Sequence, residues 1–347
     1  MRDAQCKRAT VTTMRKQIIS GIKIIIAFGI SGVCLYFAAR NLQFEAIRAE
    51  LVSMQFLPLV LAAAFSIAAI SLRAWRWHQV IRREHDFAFS NTYWANAIGY
   101  LANNILPARA GEVIRSVVLA LSANIRKTLV LATALTERML DAAVLLLLAW
   151  CMLFFTVELP PAFRTIWTIV LPLVLLVVVM AFIAPSMQAF WVKLIHLLPL
   201  GVAFKMRLEA FLNGMLDGIR VFHHPGFLAK FLLYTLIIWF IDACTFKTLA
   251  VAFGSELTLP QSIIFVAIIG FASSVPSTPG YVGVFQAIAV ALLPVFGMKE
   301  SQAFLMISFF QVMFLAVTLV LGGYGWFVMQ RRIGKARLAR EIEEAES

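Results

Sequence analysis

Apolar residues along this chain come in runs of about twenty, the length a helix needs to cross a hydrocarbon core of roughly 30 Å. Charged residues collect between the runs. Six runs fit that template and predict full transmembrane helices: Ile18–Ala39, Leu57–Trp77, Thr128–Val157, Ile166–Ala184, Ala229–Phe253 and Ala303–Val328. Two further stretches, Trp94–Leu121 and Gln261–Phe296, are equally apolar but carry proline and glycine at their centres. Those residues stop one helix and allow another to start.

Lysine and arginine in short flanking loops mark the cytoplasmic side. They are dense in the tail 1–17, around Arg82 and Arg83, at Arg126 and Lys127, from Lys193 to Arg220 and in the tail 329–347, and sparse from Gly254 to Pro260. Both termini are therefore expected in the cytoplasm. On this assignment each broken stretch leaves and returns on one face. Residues 94–123 are expected to form a re-entrant helical hairpin from the cytoplasm, and residues 261–296 another from outside. The expected fold is a single all-α polytopic membrane domain over 1–347, with about six full transmembrane helices plus two re-entrant hairpins.

The two hairpin tips share a pattern. Asn104-Ile-Leu-Pro107-Ala-Arg109-Ala-Gly111 lies over Ser273-Ser-Val-Pro276-Ser-Thr278-Pro279-Gly280, polar-x-aliphatic-Pro-x-x-x-Gly in both. Opposite sides of approach and a common tip predict an inverted repeat, in which broken helices meet near the bilayer midplane around a transported species.

Composition places the chain in the membrane class: 61% of its 347 residues are hydrophobic and 14% charged, against about 45–50% and about 25% in soluble domains. The net charge of +12 then reads as attraction of basic loops to anionic lipid, and nucleic acid is not an expected partner. Cys6, Cys34, Cys151 and Cys244 are far apart and indicate neither a zinc site nor a disulfide framework. No cofactor and no metal is expected. The first run is too long for a signal peptide and is expected to remain as a helix, with Lys23 snorkelling to the basic face.

Charge inside the apolar segments is the candidate chemistry, because ions at membrane depth are costly and mark sites. A half-helix starting at Gly111 or near Gly280 presents unpaired N–H groups that attract anions. Arg109 and Arg115 add forked donors suited to phosphate. Glu137 and Asp141 share a helix face, with Arg138 beside Asp141, and with Glu112 they would balance the arginines until an anion displaces them. The competing reading is an internal charge network with a purely structural role. Asp242 lies near the centre of its span as a partner for a buried arginine, whereas Lys247 is expected to snorkel. Arg73, Trp75, Arg76 and Trp77 read as interfacial anchors, His223-His224 and Glu84-His85-Asp86 as solvated loops, and 186–222 as amphipathic helices along the cytoplasmic surface.

Taken in order, these residues resemble the transmembrane region of lysylphosphatidylglycerol synthetases, a family of flippase-like integral membrane proteins. The resemblance runs from about Leu51 to Val328. It is carried by Asn104, Leu106, Pro107, Arg109, Gly111, Glu112 and Arg115, then by Glu137, Arg138 and Asp141, then by Pro276, Thr278, Pro279, Gly280 and Gly283. It implies lipid handling. In two-part members a separate soluble domain performs aminoacyl transfer, and the short tail after Val328 is expected to hold no such domain. Tyr281 and Gln286 depart from the family pattern, which has a second glycine and a nearby glutamate there; if that glutamate couples transport to protons, Gln286 cannot.

The expected function is movement of an anionic phospholipid or lipid-linked headgroup between leaflets of the cytoplasmic (inner) membrane. A rival reading uses the buried carboxylates as the general base of a membrane-embedded lipid transferase. A third makes the chain a non-transporting partner of a lipid-modifying enzyme acting in trans.

Overall fold

The computed structural model describes residues 29–40, 42–83, 85–106, 110–152, 161–199, 201–273 and 278–346, without the side chains of 161–164, 166, 167, 170, 171 and 335–346. Pro107, Arg109, Pro276, Lys23, Cys6, Glu84, the basic tail 1–17 and the first half of the Ile18–Ala39 run lie outside the described residues. The helices are α1 (Gly29–Ala39), α2 (Phe44–Val52), α3 (Phe56–Ile81), α4 (Phe89–Ile105), α5 (Gly111–Ala123), α6 (Lys127–Met152), α7 (Pro161–Ile183), α8 (Gln188–Leu197), α9 (Val202–Arg220), α10 (Pro225–Ala252), α11 (Leu259–Ala272), α12 (Val284–Leu292) and α13 (Glu300–Glu346).

Among the described residues, five segments are long and apolar enough to cross a membrane: Phe56–Ile81, Pro172–Leu197, Pro225–Ala252, Pro279–Phe296 and Glu300–Gly334. The protein is an all-α, multi-pass membrane protein. α6 has the length, at 26 residues, but every central window holds Glu137, Arg138 and Asp141. Pro279–Phe296 has the composition but not the continuity. Gly280, Tyr281 and Gly283 have φ of 70°, 60° and 89°, so the α-helix itself is only Val284–Leu292.

Both broken stretches fold as helix pairs. α4 stops at Leu106, whose φ of −98° and ψ of 143° are the extended values imposed on a residue before proline. At 17 residues α4 is about 26 Å long, and α5, α11 and α12 are shorter. Each falls short of a complete crossing. α11 starts from Thr258, whose hydroxyl accepts from Gln261 N while Gln261 Oε1 accepts from Thr258 N.

The order long helix, hairpin, long helix occurs twice, as α3-α4-α5-α6 and α10-α11-α12-α13. Packing follows the same two-fold scheme: α4 packs on α13 as α11 packs on α6, α3 on α4 as α10 on α11, and α5 on α6 as α12 on α13. α3 and α10 pack on each other and run antiparallel, since Arg83, Arg76 and Arg73 meet Phe227, Thr235 and Asp242 in turn. This is the inverted arrangement. The 279–281 turn packs against α4, and two residues on one face of α13 hold both tips. Thr318 Oγ1 accepts from Asn104 Nδ2 at 3.1 Å, and Gln311 Nε2 donates to Gly280 O at 2.8 Å.

Candidate functional site

Four helices bring eight charged side chains into one buried region: Arg73 and Arg76 of α3, Glu112 and Arg115 of α5, Glu137, Arg138 and Asp141 of α6, and Asp242 of α10. Arg76 is at the centre and 1% exposed. Its Nη1 donates to Asp141 Oδ1 at 2.5 Å and also to Thr235 Oγ1; its Nη2 donates to Asp141 Oδ2 at 2.9 Å and Glu137 Oε1 at 2.7 Å. Such a fork needs the planar guanidinium.

The other arginines extend the network. Arg115 donates through Nη1 to Asn96 Oδ1 at 3.0 Å, and its Nη2 lies 2.6 Å from Glu112 Oε2 and 3.7 Å from Glu137 Oε2. Arg138 Nε is 3.0 Å from Glu112 Oε1, and its Nη1 is 3.6 Å from Asp141 Oδ2. Arg73 pairs with both oxygens of Asp242. Aromatic faces cover three guanidinium groups: Phe231 lies 4.4 Å from Arg76, Trp77 4.4 Å from Arg115 and Trp239 5.3 Å from Arg73, stabilising contacts for a desolvated cation. Four cations meet four carboxylates, so the group is electrically balanced. That balance is what makes so many ions tolerable away from water.

Above this network lies a cavity of about 790 Å³. Arg73, Glu112, Arg138, Asp141 and Asp242 line one side of it, with Tyr100, Asn103 and Asn104. The remainder is mainly hydrocarbon and aromatic, including Leu173 and Val177 of α7, Ile269 of α11 and Phe310 of α13, with Ser66, Thr245, Ser273 and Gln311 among it. Gly280 and Tyr281 bring the second tip to its rim. Arg138 is the most accessible of the cations, with 28% of its side chain exposed, while Arg115 and Glu137 lie beneath the surface at 2% and 0%.

The tips are less open to an anion than the sequence suggests. Gly111 N donates to Asn103 Oδ1 at 2.9 Å, Gly283 N to Gln286 Oε1 at 2.7 Å, and Thr278 N to Ser31 Oγ of α1 at 3.1 Å. The protein's own oxygens thus occupy these donors. Glu112, in the first turn of α5, puts a resident carboxylate at the positive end of that helix. Gln286 also donates to Gln311 Oε1 at 2.5 Å, a bond an ionised glutamate could not make. In this chain position 286 ties the second tip to α13.

Among the residues expected in the site, Asn104, Glu112, Arg138, Asp141, Asp242 and Gly280 line the cavity, and Arg115 and Glu137 support it from below. Gly111 sits where α4 and α5 cross, its hypothetical Cβ 2.0 Å from Gly99 O. Thr278, Pro279, Gly283 and Gln286 build the second tip. The reading of Arg73, Arg76 and Trp77 as interfacial anchors is corrected: Arg73 is 7%, Arg76 1% and Trp77 0% exposed. α3 continues to Ile81, which carries these residues a turn or more inside the helix. Trp75, 38% exposed, faces outward. Tyr100, Asn103 and Trp239 were not anticipated, and none has a sequence signal beyond polarity in an apolar run.

A family model, the Lysylphosphatidylglycerol synthase TM region, matches residues 24–322. The chain belongs to this family. No curated protein matches it. The match to the lysylphosphatidylglycerol synthase TM region spans α1 through the first half of α13, so it contains all eight charged residues and both tips. Of the described residues in the tip and α6 motifs that carry the sequence resemblance, Asn104, Glu112, Arg138, Asp141 and Gly280 line the same cavity.

The outlying pair gives a graded test of the network. Asp242 has 20% of its side chain exposed and can recruit water, so Asp242→Asn should lower the melting temperature of the purified protein, but by less than loss of an Arg76 partner. An Asp242→Asn protein that melts below Asp141→Asn would reverse the order of burial.

Proposed function

We propose that this protein is a lipid flippase of the cytoplasmic (inner) membrane, with both termini in the cytoplasm, and that it moves an anionic phospholipid or lipid-linked headgroup between leaflets. One observation carries the reading: a single cavity joins accessible, balanced charges to a hydrocarbon wall, which suits an amphipathic ligand better than an ion or a sugar. Arg138 is held by Glu112 and Asp141 in the resting protein. A headgroup phosphate takes their place on Arg138, and the freed carboxylates remain satisfied by Arg115 and Arg76. The exchange leaves every carboxylate in contact with an arginine, Glu112 with Arg115, Glu137 and Asp141 with Arg76 and Asp242 with Arg73, while the phosphate adds one negative charge to the balanced group. The inverted repeat supplies the means of exposing the cavity to each leaflet in turn.

Protein reconstituted in liposomes with fluorescent anionic lipid should accelerate leaflet exchange. Arg138→Gln should abolish the acceleration, whereas Arg126→Gln, altering an exposed arginine paired with Asp217, should preserve it. Exchange that Arg138→Gln leaves intact, or that the wild type never accelerates over a panel of anionic lipids, would sink the proposal. For orientation, Glu256 and Arg126 are both exposed. Glu256→Cys should label from outside intact cells, and Arg126→Cys only after permeabilisation.

A further inference from the structure

The hydrocarbon part of the cavity is lined by α7 and α11. α7 packs mainly on α6 and α9, and its cavity-facing side chains are Leu173, Val174, Val177 and Val178. None can hydrogen-bond. Leu176, Val179, Met180 and Ile183 of the same helix are 45–57% exposed and lie outside the cavity lining, while the cavity-lining Leu173 and Val177 are equally open at 57% and 51%. One helix therefore separates the cavity from the bilayer interior. Moving it away breaks no side-chain hydrogen bond at these positions.

Several other parts of the boundary are fastened by side-chain hydrogen bonds. Both tips are tied to α13, α3 is bonded to α6 and α10, and α4 and α5 are joined through Gly111 and Asn103. α1, which precedes the first four-helix unit, is bonded to the second tip through Ser31. α7 precedes the second unit and has aliphatic contacts at the cavity instead. It also carries Pro172 within the helix, next to the first cavity residue. Proline there removes the hydrogen bond to Thr168 O and favours bending at that point.

We infer that the space between α7 and α11 is a subsite for the acyl chain of a lipid, and that α7 is its movable wall. The headgroup side of this inference rests on the flippase reading; the acyl subsite is testable by itself. A chain lying along Leu173, Val174, Val177 and Val178 meets Val266, Ile269 and Phe271 across the cavity. It gains the burial of apolar surface while its headgroup stays within reach of Arg138, and it passes to and from the bilayer beside α7 without crossing the charged network.

The test uses the full-length protein in phosphatidylglycerol-containing liposomes with a phospholipid carrying a photoreactive diazirine in mid-chain. Irradiation should label the 173–178 segment at cavity-facing positions, and excess unlabelled lipid should compete the label away. Val177→Trp should reduce labelling and slow exchange by about tenfold or more, as overfilling a fitted site does, while Val179→Trp on the outward face should leave both unchanged. If the tryptophan variant does not fold, Val177→Phe and Val178→Phe make the same comparison with a smaller ring. Labelling confined to Leu176, Val179, Met180 and Ile183, or exchange unaffected by a folded Val177 variant, overturns the inference. Loss of exchange in Arg138→Gln with no effect at Val177 leaves the flippase reading standing and removes the acyl subsite. Competed labelling at Val177 without any leaflet exchange does the reverse.

Discussion

Arg76→Ala is expected to cost about 3–5 kcal/mol of stability, the range for removing one member of a buried ion pair. Glu137 and Asp141 are 0% and 4% exposed, so little water reaches either when its forked partner is removed. Arg138 and Arg115 remain nearby, but their closest approaches to Glu137 are 4.0 and 3.7 Å, and Arg138 to Asp141 is 3.6 Å. Those distances give attraction without good hydrogen bonds. Arg76→Lys should recover only part of the loss, since an ammonium cannot reach two oxygens of Asp141, Glu137 and Thr235 in one plane. Arg82→Ala is the comparison: that arginine and Asp86 are 55% and 90% exposed, where an ion pair contributes about 0–1 kcal/mol. Melting followed by size-exclusion chromatography in detergent should show a sharp fall for Arg76→Ala and almost none for Arg82→Ala. The triple variant Arg76→Met, Glu137→Gln, Asp141→Leu should melt above Arg76→Ala, because it removes the stranded charges with their partner. Equal melting of Arg76→Ala and Arg82→Ala would falsify a structural role for the network.

The same helix shows where the sequence is readable and where it is not. Hairpin breaks were legible because proline and glycine act on their own backbone: Leu106 is extended because proline follows it, whatever surrounds it. Glu137 and Asp141 were legible because their i, i+4 spacing fixes a shared face, and Asp242 because an acid in mid-span demands a partner. That the partner is Arg73 was not legible. Arg73 and Arg76 lie where an apolar run gives way to basic residues, and the sequence there is the same for an arginine in the interface and one buried against another helix. What decides is contact with residues 61 and 169 positions away, which no local pattern contains. The capping of both tips was hidden for a related reason. Asn103, Ser31 and Gln286 are ordinary polar residues until the fold places each against a particular N–H. The cavity is assembled from segments as distant as Ser66 and Phe314.

The crossing of α4 and α5 supports the second large effect. A Cβ at Gly111 would stand 2.0 Å from Gly99 O and 2.5 Å from Asn103 Oδ1, and the first of these is backbone that cannot turn aside. Gly111→Ala must therefore push α5 off α4, and overpacking of this kind costs about 1–3 kcal/mol. The functional loss should exceed the stability loss. Glu112 is the next residue and Arg115 is one turn on, so the displacement separates Glu112 from Arg138 and Arg115 from Asn96, contacts now at 3.0 Å each. In the second tip the same crowding falls on Gly283, three residues beyond the Gly280 that matches Gly111 in sequence: its φ is 89° and its Cβ would lie 2.1 Å from Ser31 O. Gly283→Ala should loosen α1 from that tip as Gly111→Ala loosens α5 from the first. In liposomes both variants should lose most leaflet exchange while remaining monodisperse and helical, whereas Gly323→Ala, with nothing within 4 Å, should retain exchange and melt no lower than wild type. A Gly111→Ala protein with full exchange would mean that α5 can shift without disturbing Glu112, and that the charge network does not depend on the close approach of the two hairpin helices.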